Sequence, residues 1–118
     1  MYNISKVFEF SAGHHLEGLP ADHPCTSPHG HNYTVELHLE AYSLNAVGFV
    51  VDYRELSEFK RLIDNTYDHK DLNNVVDFNP TAENLAKHFY MLAKQRWSVT
   101  KGVTVSETPK TKAYYSEP

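Results

Sequence analysis

The feature that most constrains the fold is a strict alternation of apolar and polar side chains along residues 31–42. A period of two is typical of a β-strand that buries one face and exposes the other. Residues 3–12 alternate in the same way, with Phe8 and Phe10 on the apolar side, so we predict a second strand of this kind. The apolar positions of residues 31–42 are Tyr33, Val35, Leu37, Leu39 and Ala41.

Two segments in the middle of the chain follow helical spacing. Residues 53–66 carry apolar side chains at intervals of three and four, and Asp52 precedes them as a candidate cap. A second helix is predicted from Pro80 or Thr81 to near Trp97. Residues 13–30, between the first two strands, are rich in glycine and proline and are expected to form a loop.

Two shorter strands are predicted after the helices, at residues 103–106 and 113–115, with a turn around Pro109 between them. The predicted order is therefore β-β-α-α-β-β. Strands in adjacent pairs favour antiparallel pairing, and two helices can cover one face of the sheet. We expect an α+β fold, in which residues 1–118 form a single domain with a four-stranded antiparallel sheet and two helices on one face.

Charge and composition exclude several classes of partner. The net charge is −4 and the basic residues are scattered, which argues against a surface for nucleic acid or an anionic membrane. No apolar run approaches the roughly 18 residues of a membrane span, and no apolar stretch follows Met1 as a secretory signal would. Cys25 is the only cysteine, so we expect no internal disulfide and a reduced, cytoplasmic setting.

Three histidines form a candidate metal site. His29 and His31 are two apart in a predicted strand, so their side chains point to the same face, the one that Tyr33 continues into the core. His14 continues the apolar face of the first strand, and antiparallel pairing could bring it beside the other two. Three neutral imidazoles with an open fourth position are typical of a catalytic zinc site, although each histidine could instead be a surface or core residue.

Three further candidate sites, formed by four residues, have two interpretations each. Cys25 is either a small buried side chain or, next to zinc, a thiol acidic enough to act as a base. Asp68 and His69 either solvate a helix end or form a carboxylate–imidazole pair for proton transfer. Glu107 lies on the apolar side of its predicted strand, so it needs a basic side chain or a ligand with paired N–H donors, unless the strand has already turned to solvent.

Six short motifs occur in order along nearly the whole chain, and together they resemble the 6-pyruvoyl-tetrahydropterin synthase / 6-carboxytetrahydropterin synthase family. Each motif is weak alone, but six in order at matching spacings are specific. The motifs are FSAGHHL at 10–16, CTSPHGHNY at 25–33, GFVVD at 48–52, DHKDLN at 68–73, NPTAEN at 79–84 and ET at 107–108.

The resemblance implies the tunnelling (T-) fold, in which subunits of this kind form trimers that stack into a homo-hexamer. It also implies 7,8-dihydroneopterin triphosphate as the substrate. Carried over motif by motif, the implied zinc ligands are His14, His29 and His31, and Cys25 is the catalytic thiolate with Asp68 and His69 as a second proton-transfer unit. The implied substrate contacts are Glu107 as the anchor of the pterin ring, and Thr81 and Glu83 as pocket residues from a neighbouring subunit.

The product is predicted from the spacing between Cys25 and His29, which is three residues. This spacing is similar to that of the bacterial carboxy synthases, whereas animal-type pyruvoyl synthases have a longer loop. We therefore expect 6-carboxytetrahydropterin, acetaldehyde and triphosphate as products, for queuosine and 7-deazapurine biosynthesis. The alternatives are 6-pyruvoyl-tetrahydropterin synthesis, a non-catalytic zinc- or pterin-binding subunit, and a cupin-like metalloprotein, which the two predicted helices disfavour.

Overall fold

One five-stranded sheet organises the protein, and a computed structural model describes all of its residues, 1–118. The strand order across the sheet is β3-β1-β2-β4-β5, and every neighbouring pair is antiparallel except β3 with β1. The strands are β1 (Tyr2–His14), β2 (His29–Ala41), β3 (Lys70–Asp71), β4 (Thr100–Thr108) and β5 (Thr111–Ser116).

The first two strands pair without interruption over their whole length, from Tyr2 opposite Ala41 to His14 opposite His29. Both alternating segments are therefore confirmed as strands. Each extends two residues further toward the connecting loop than the alternation of residues 3–12 and 31–42 predicts. The loop between them is correspondingly shorter, and the extra pairs include His14 opposite His29 at this end of the sheet.

In the sequence, the helices come between β2 and β4. Residues 53–66 begin with a turn of 3-10 helix, Tyr53–Leu56, and continue as α1 (Ser57–Thr66), with the Asp52 side chain accepting from the Arg54 N–H. A short helix that the sequence did not predict, α2 (Leu72–Val75), follows β3. The second predicted helix is confirmed as α3 (Ala82–Arg96), and its first turn is capped by the Thr81 hydroxyl.

The predicted sheet of four antiparallel strands omitted β3, which pairs in parallel with β1 at Ala12 and Gly13. Two residues contain no alternation that a sequence pattern can detect. This strand forms because the neighbouring backbone docks on β1, where the His69 N–H donates to the Ser11 carbonyl over 2.6 Å. The long-range contact therefore decides its conformation.

The core lies between the helices and the apolar face of β1, β2 and β4, and it contains 20 buried residues. Phe10 and Tyr33 stack within it at 4.9 Å between ring centroids, and Phe89 of α3 meets Phe10 edge to face. His14, which is 2% exposed, occupies the end of this same face of β1. The core therefore extends to the end of the sheet where the histidines lie.

No helix has the length and apolar character needed to span a bilayer.

Candidate metal centre

The structure brings the three predicted histidines together where β1 ends and β2 begins. His14 lies opposite His29, and Ala12 lies opposite His31, so all three imidazoles project from adjacent strands at one end of the sheet. One ligand nitrogen from each ring lies within 4.8 Å of the other two. The three rings, hereafter the histidine cluster, could therefore hold a single metal ion.

Backbone carbonyls fix the tautomers of two rings in the cluster. His14 Nδ1 lies 2.8 Å from the Pro80 carbonyl, and His29 Nδ1 lies 2.8 Å from the Ser27 carbonyl. A carbonyl oxygen can only accept a hydrogen bond, so both Nδ1 atoms carry the proton and each neutral ring presents a lone pair at Nε2. Burial lowers the pKa of His14, which keeps that ring neutral.

These two lone pairs face one another, since the Nε2 atoms of His14 and His29 are 3.0 Å apart. Two acceptors at this distance repel unless a cation lies between or beside them. The third ring adds an unpaired atom: His31 Nε2 is buried and has no hydrogen-bond partner. Imidazole nitrogens suit zinc and other transition metals, so the donor set and the converging nitrogens fit a metal ion.

Glu107 reaches the cluster from β4. Its Oε2 atom is 3.5 Å from His31 Nε2, and its side chain remains about a quarter exposed, at 26%. The carboxylate is close enough to attract positive charge in the cluster, but it is too far for a good hydrogen bond to His31. It therefore keeps the capacity to accept hydrogen bonds from a molecule bound beside the histidines.

Asp68 and His69 form the expected carboxylate–imidazole pair. Asp68 Oδ2 lies 2.9 Å from His69 Nδ1, while Asp68 Oδ1 accepts from the Ser11 N–H over 2.9 Å. The Ser11 hydrogen bond, together with the His69 contact, lowers the pKa of Asp68, which stays ionised. His69 has φ of 60°, a left-handed conformation that is uncommon without glycine and often marks a functional position.

The His69 ring is 81% exposed, in contrast to His14, which is buried. It nevertheless lines the same depression as His31, a cavity of about 440 Å³ over the ends of β1 and β2. The floor of this cavity includes Gly13 and Gly30, whose lack of side chains leaves the strand ends open. The pair is not one of the cluster's ligands. Gly13 and Gly30 alternate with the three histidines along β1 and β2, so this cavity lies on the opposite face of the sheet from the imidazole rings.

Cys25 lies in a turn of 3-10 helix, Pro24–Thr26, within the loop that joins β1 to β2. It is a half-buried free thiol and is not part of the histidine cluster. Its backbone is held on both sides: the Cys25 N–H donates to His23 Nδ1, and its carbonyl accepts from the Leu16 N–H over 2.7 Å. These contacts dock the cysteine turn onto the residues that follow β1.

Thr81 and Glu83 are not brought into the cluster of this subunit. The Thr81 hydroxyl accepts from the Asn84 N–H and so caps α3. Glu83 is exposed in the first turn of α3 and lines a separate depression against β5, with Lys112 on its other side. Glu83 therefore faces outward at the helix start, whereas the half-buried Thr81 side chain belongs to the helix cap.

Sequence reasoning missed the groups that hold the site in place. The carbonyls of Ser27 and Pro80 orient two imidazoles, and the side-chain amides of Asn73 and Asn79 bind the backbone beyond β1. Both asparagines lie within the six sequence motifs, at 68–73 and 79–84, so the sequence did mark these positions. Their partners lie more than fifty residues away, and no local period could identify them.

The fold and the cluster together define an α+β protein with three histidines at one end of its sheet that could hold a metal ion. The chain belongs to the 6-pyruvoyl tetrahydropterin synthase family, whose model matches residues 3–118. The resemblance drawn from the six motifs is thereby confirmed, and the chain belongs to a family of enzymes.

Individual relatives agree with this membership. A 6-carboxy-5,6,7,8-tetrahydropterin synthase of Bacillus subtilis is 33% identical over an alignment of 96 positions that covers 75% of this chain and 63% of that protein. The enzyme of the same name from Rickettsia bellii is 27% identical over an alignment of 135 positions that covers 92% of this chain and 96% of that protein.

Solved structures confirm the T-fold expectation. The structure of Caenorhabditis elegans 6-pyruvoyl tetrahydropterin synthase is 30% identical with a TM-score of 0.87, and the match covers 99% of this chain and 96% of that one. The Plasmodium vivax 6-pyruvoyl tetrahydropterin synthase structure shares the fold at 17% identity, with a TM-score of 0.73 and 99% of both chains covered.

Proposed function

We propose that this protein is a zinc-dependent 6-carboxy-5,6,7,8-tetrahydropterin synthase. It would convert 7,8-dihydroneopterin triphosphate and water to 6-carboxytetrahydropterin, acetaldehyde and triphosphate, with the water supplying the additional oxygen of the carboxylate. The single observation that carries the proposal is the convergence of the Nε2 atoms of His14 and His29 at 3.0 Å, beside an unpaired His31 nitrogen, in a chain of this family. The names of the Bacillus and Rickettsia relatives support the choice of reaction.

Zinc is the metal that best suits the proposed site. Three neutral imidazole ligands do not reduce the net positive charge of the ion. They also leave its fourth coordination position open for a substrate oxygen. A zinc ion held by His14, His29 and His31 would supply Lewis-acid polarisation of the hydroxyl-bearing carbons of the substrate side chain. The carbonyls of Pro80 and Ser27 support this role, because an imidazole that donates from Nδ1 is a better ligand at Nε2.

Proton transfer falls to Cys25 and to the Asp68–His69 pair. The Cys25 thiolate would remove a proton from one face of the substrate side chain. Asp68, already ionised, holds His69 through Nδ1 and leaves Nε2 free to give or accept a proton on the other face. Because the His69 ring is exposed, it has room to meet a substrate.

Glu107 is the proposed anchor for the pterin ring. A carboxylate can accept two hydrogen bonds from the paired N–H groups of an aminopyrimidinone. Its position 3.5 Å from His31 Nε2 would hold the ring beside the cluster, with the side chain of the substrate directed at the metal position. Thr81 and Glu83, at the start of α3, would contribute to the pocket of a neighbouring subunit in a homo-hexamer.

The carboxy product is favoured over the pyruvoyl product by the short tether of the thiol. Only Thr26, Ser27 and Pro28 separate Cys25 from His29, and each residue spans at most ~3.6 Å. Two extra residues would let the sulfur reach a different carbon, so the short tether restricts it to one approach. The product would supply queuosine and 7-deazapurine synthesis. Because the Cys25 thiol must stay reduced to act as a base, we place this single-domain enzyme in the cytoplasm.

The deciding experiment incubates the zinc-loaded protein with 7,8-dihydroneopterin triphosphate and measures acetaldehyde and triphosphate together. We expect equal amounts of the two, with 6-carboxytetrahydropterin as the pterin product. Release of triphosphate without acetaldehyde would instead indicate the pyruvoyl reaction. If the protein binds zinc and pterin but leaves the substrate intact, it is a non-catalytic binding subunit.

A further inference from the structure

Two asparagine side chains extend the first strand beyond its last residue. Asn73 Oδ1 accepts from the His15 N–H over 2.9 Å, and Asn73 Nδ2 donates to the His15 carbonyl over 3.0 Å. Asn79 makes the same two bonds with Glu17, each at 3.0 Å. Each side-chain amide therefore takes the place of a peptide group in a neighbouring strand, although residues 15–17 lie outside the sheet.

The residue between the two clamped positions faces the other way. In an extended chain the N–H and C=O groups of consecutive residues alternate in direction, so His15 and Glu17 face the asparagines while Leu16 faces away. The Leu16 N–H donates to the Cys25 carbonyl over 2.7 Å. The segment is therefore a three-residue bridge, with the asparagines on one side and the cysteine turn on the other.

The two asparagines are themselves fixed in place. The Asn73 N–H is held by the Asp71 carboxylate in the first turn of α2, at 3.0 Å. The Asn79 carbonyl accepts from Asn84 Nδ2 over 2.9 Å and from the Thr81 N–H over 2.8 Å, at the start of α3. The amides thus transmit the position of the helices to residues 15–17.

We propose that Asn73 and Asn79 are positioning residues that hold Cys25 in a fixed place relative to the histidine cluster. The inference rests on the proposed function, in which Cys25 and the cluster act on one substrate. The cluster itself needs neither amide, because His14 is held by its pairing with β2 and by the Pro80 carbonyl. Loss of an amide would release Leu16 and the cysteine turn while the metal ligands stay in place.

The test compares Asn73→Ala and Asn79→Ala with Asn74→Ala, a control in the same short helix whose exposed side chain makes no hydrogen bond within the protein. Amide hydrogen exchange of the peptide containing Leu16 and the rate of Cys25 alkylation by iodoacetamide report the position of the turn without substrate. We expect both rates to rise about tenfold in the two variants, as loss of two hydrogen bonds would produce. Zinc content should stay that of the unmodified protein.

Turnover of dihydroneopterin triphosphate provides the second readout. In both variants kcat should fall at least about tenfold while KM stays within about twofold, because binding groups are untouched and only the base is displaced. A residue that merely stabilised the fold would lower thermal stability without this split. Should an alanine variant fail to fold, Asn73→Asp and Asn79→Asp keep the size and the accepting oxygen but lose the donor, and we expect the same changes in them.

The inference is overturned if the Leu16 exchange and the Cys25 alkylation rates are unchanged in the folded variants. It is equally overturned if Asn74→Ala produces the same changes. An unmodified protein that does not turn over substrate would refute the proposed function instead, while the exchange and alkylation rates would still decide whether the asparagines hold the cysteine turn.

Discussion

The Nε2 atoms of His14 and His29 lie 3.0 Å apart, and the opposite nitrogen of each ring is held by a backbone carbonyl. This relationship follows from one pair in the register of β1 and β2, since the two residues are directly opposite. It leaves two lone pairs that a metal ion can bind together. The same contacts give the site a rigid support before any ligand arrives.

The first prediction is that the protein binds one zinc ion per chain and that His29→Ala combined with His31→Ala abolishes binding. Metal analysis after dialysis measures this, and His38→Ala, on the same strand but outside the cluster, should retain zinc. Since the ligands must be neutral, affinity should fall as the pH is lowered. Undiminished zinc in the double variant would contradict the proposed ligand set.

The second prediction is that Cys25→Ala folds and keeps zinc but loses turnover by ~10²–10⁴-fold, the usual contribution of a general base. The hydrogen bonds of Cys25 with His23 and Leu16 use its backbone, so alanine preserves them. Zinc content and steady-state kinetics on the same preparation measure both outcomes. Turnover close to that of the unmodified protein would make Cys25 a packing residue.

The third prediction is that Glu107→Gln weakens pterin binding roughly ten- to hundredfold, because an amide presents a donor to the N–H groups that a carboxylate would accept. Equilibrium titration with a pterin, followed by fluorescence, measures the change. Glu9→Gln, an exposed substitution on β1, is the matched control and should bind normally. Equal affinity in the Glu107 variant would mean that this carboxylate serves His31 alone.

The fourth prediction concerns Asp68→Asn. The amide nitrogen would face His69 Nδ1 and force the ring to accept there, so the proton moves to Nε2 and turnover should fall by ~10²–10⁴-fold. Steady-state kinetics measure this, and Asp64→Asn, an exposed change on α1, should leave turnover unaltered. A fully active Asp68 variant would remove the pair from the mechanism.

The same carboxylate also predicts a pH dependence of stability. Its folded pKa is lowered from 3.8, so its contribution to stability is present above the unfolded pKa and is lost as the pH falls through the folded one. Urea unfolding between pH 3 and 6, a range set around the ~3.9 of a free Asp, should show a smaller acid loss in Asp68→Asn than in the unmodified protein. Parallel curves would contradict this.

The fifth prediction is assembly into a homo-hexamer. Only Ala12 and Gly13 of β1 are covered by β3, and β5 pairs on one side alone, so both sheet edges carry open backbone groups. Pairing these edges between copies would close a barrel and satisfy those groups. Light scattering should give six times the 13.5 kDa of one chain. A stable, active monomer would contradict the assembly.

The sequence alone determined the four antiparallel strands and the direction of the three histidines. Alternation with a period of two is a local property, so the apolar face of β1 could be followed to His14 and that of β2 back to His29 and His31. Antiparallel pairing of two such faces then brings the three rings together. The helical spacing of apolar residues in α1 and α3 is a local property in the same sense, so it could also be recognised from the sequence.

Only the tertiary structure decided what supports the site. The two-residue strand β3, the Pro80 carbonyl on His14 and the clamps of Asn73 and Asn79 join segments more than fifty residues apart. Each depends on a loop or helix end whose conformation has no period. Such hydrogen bonds form only after the helices have packed on the sheet, because that packing sets which backbone groups come within reach of one another.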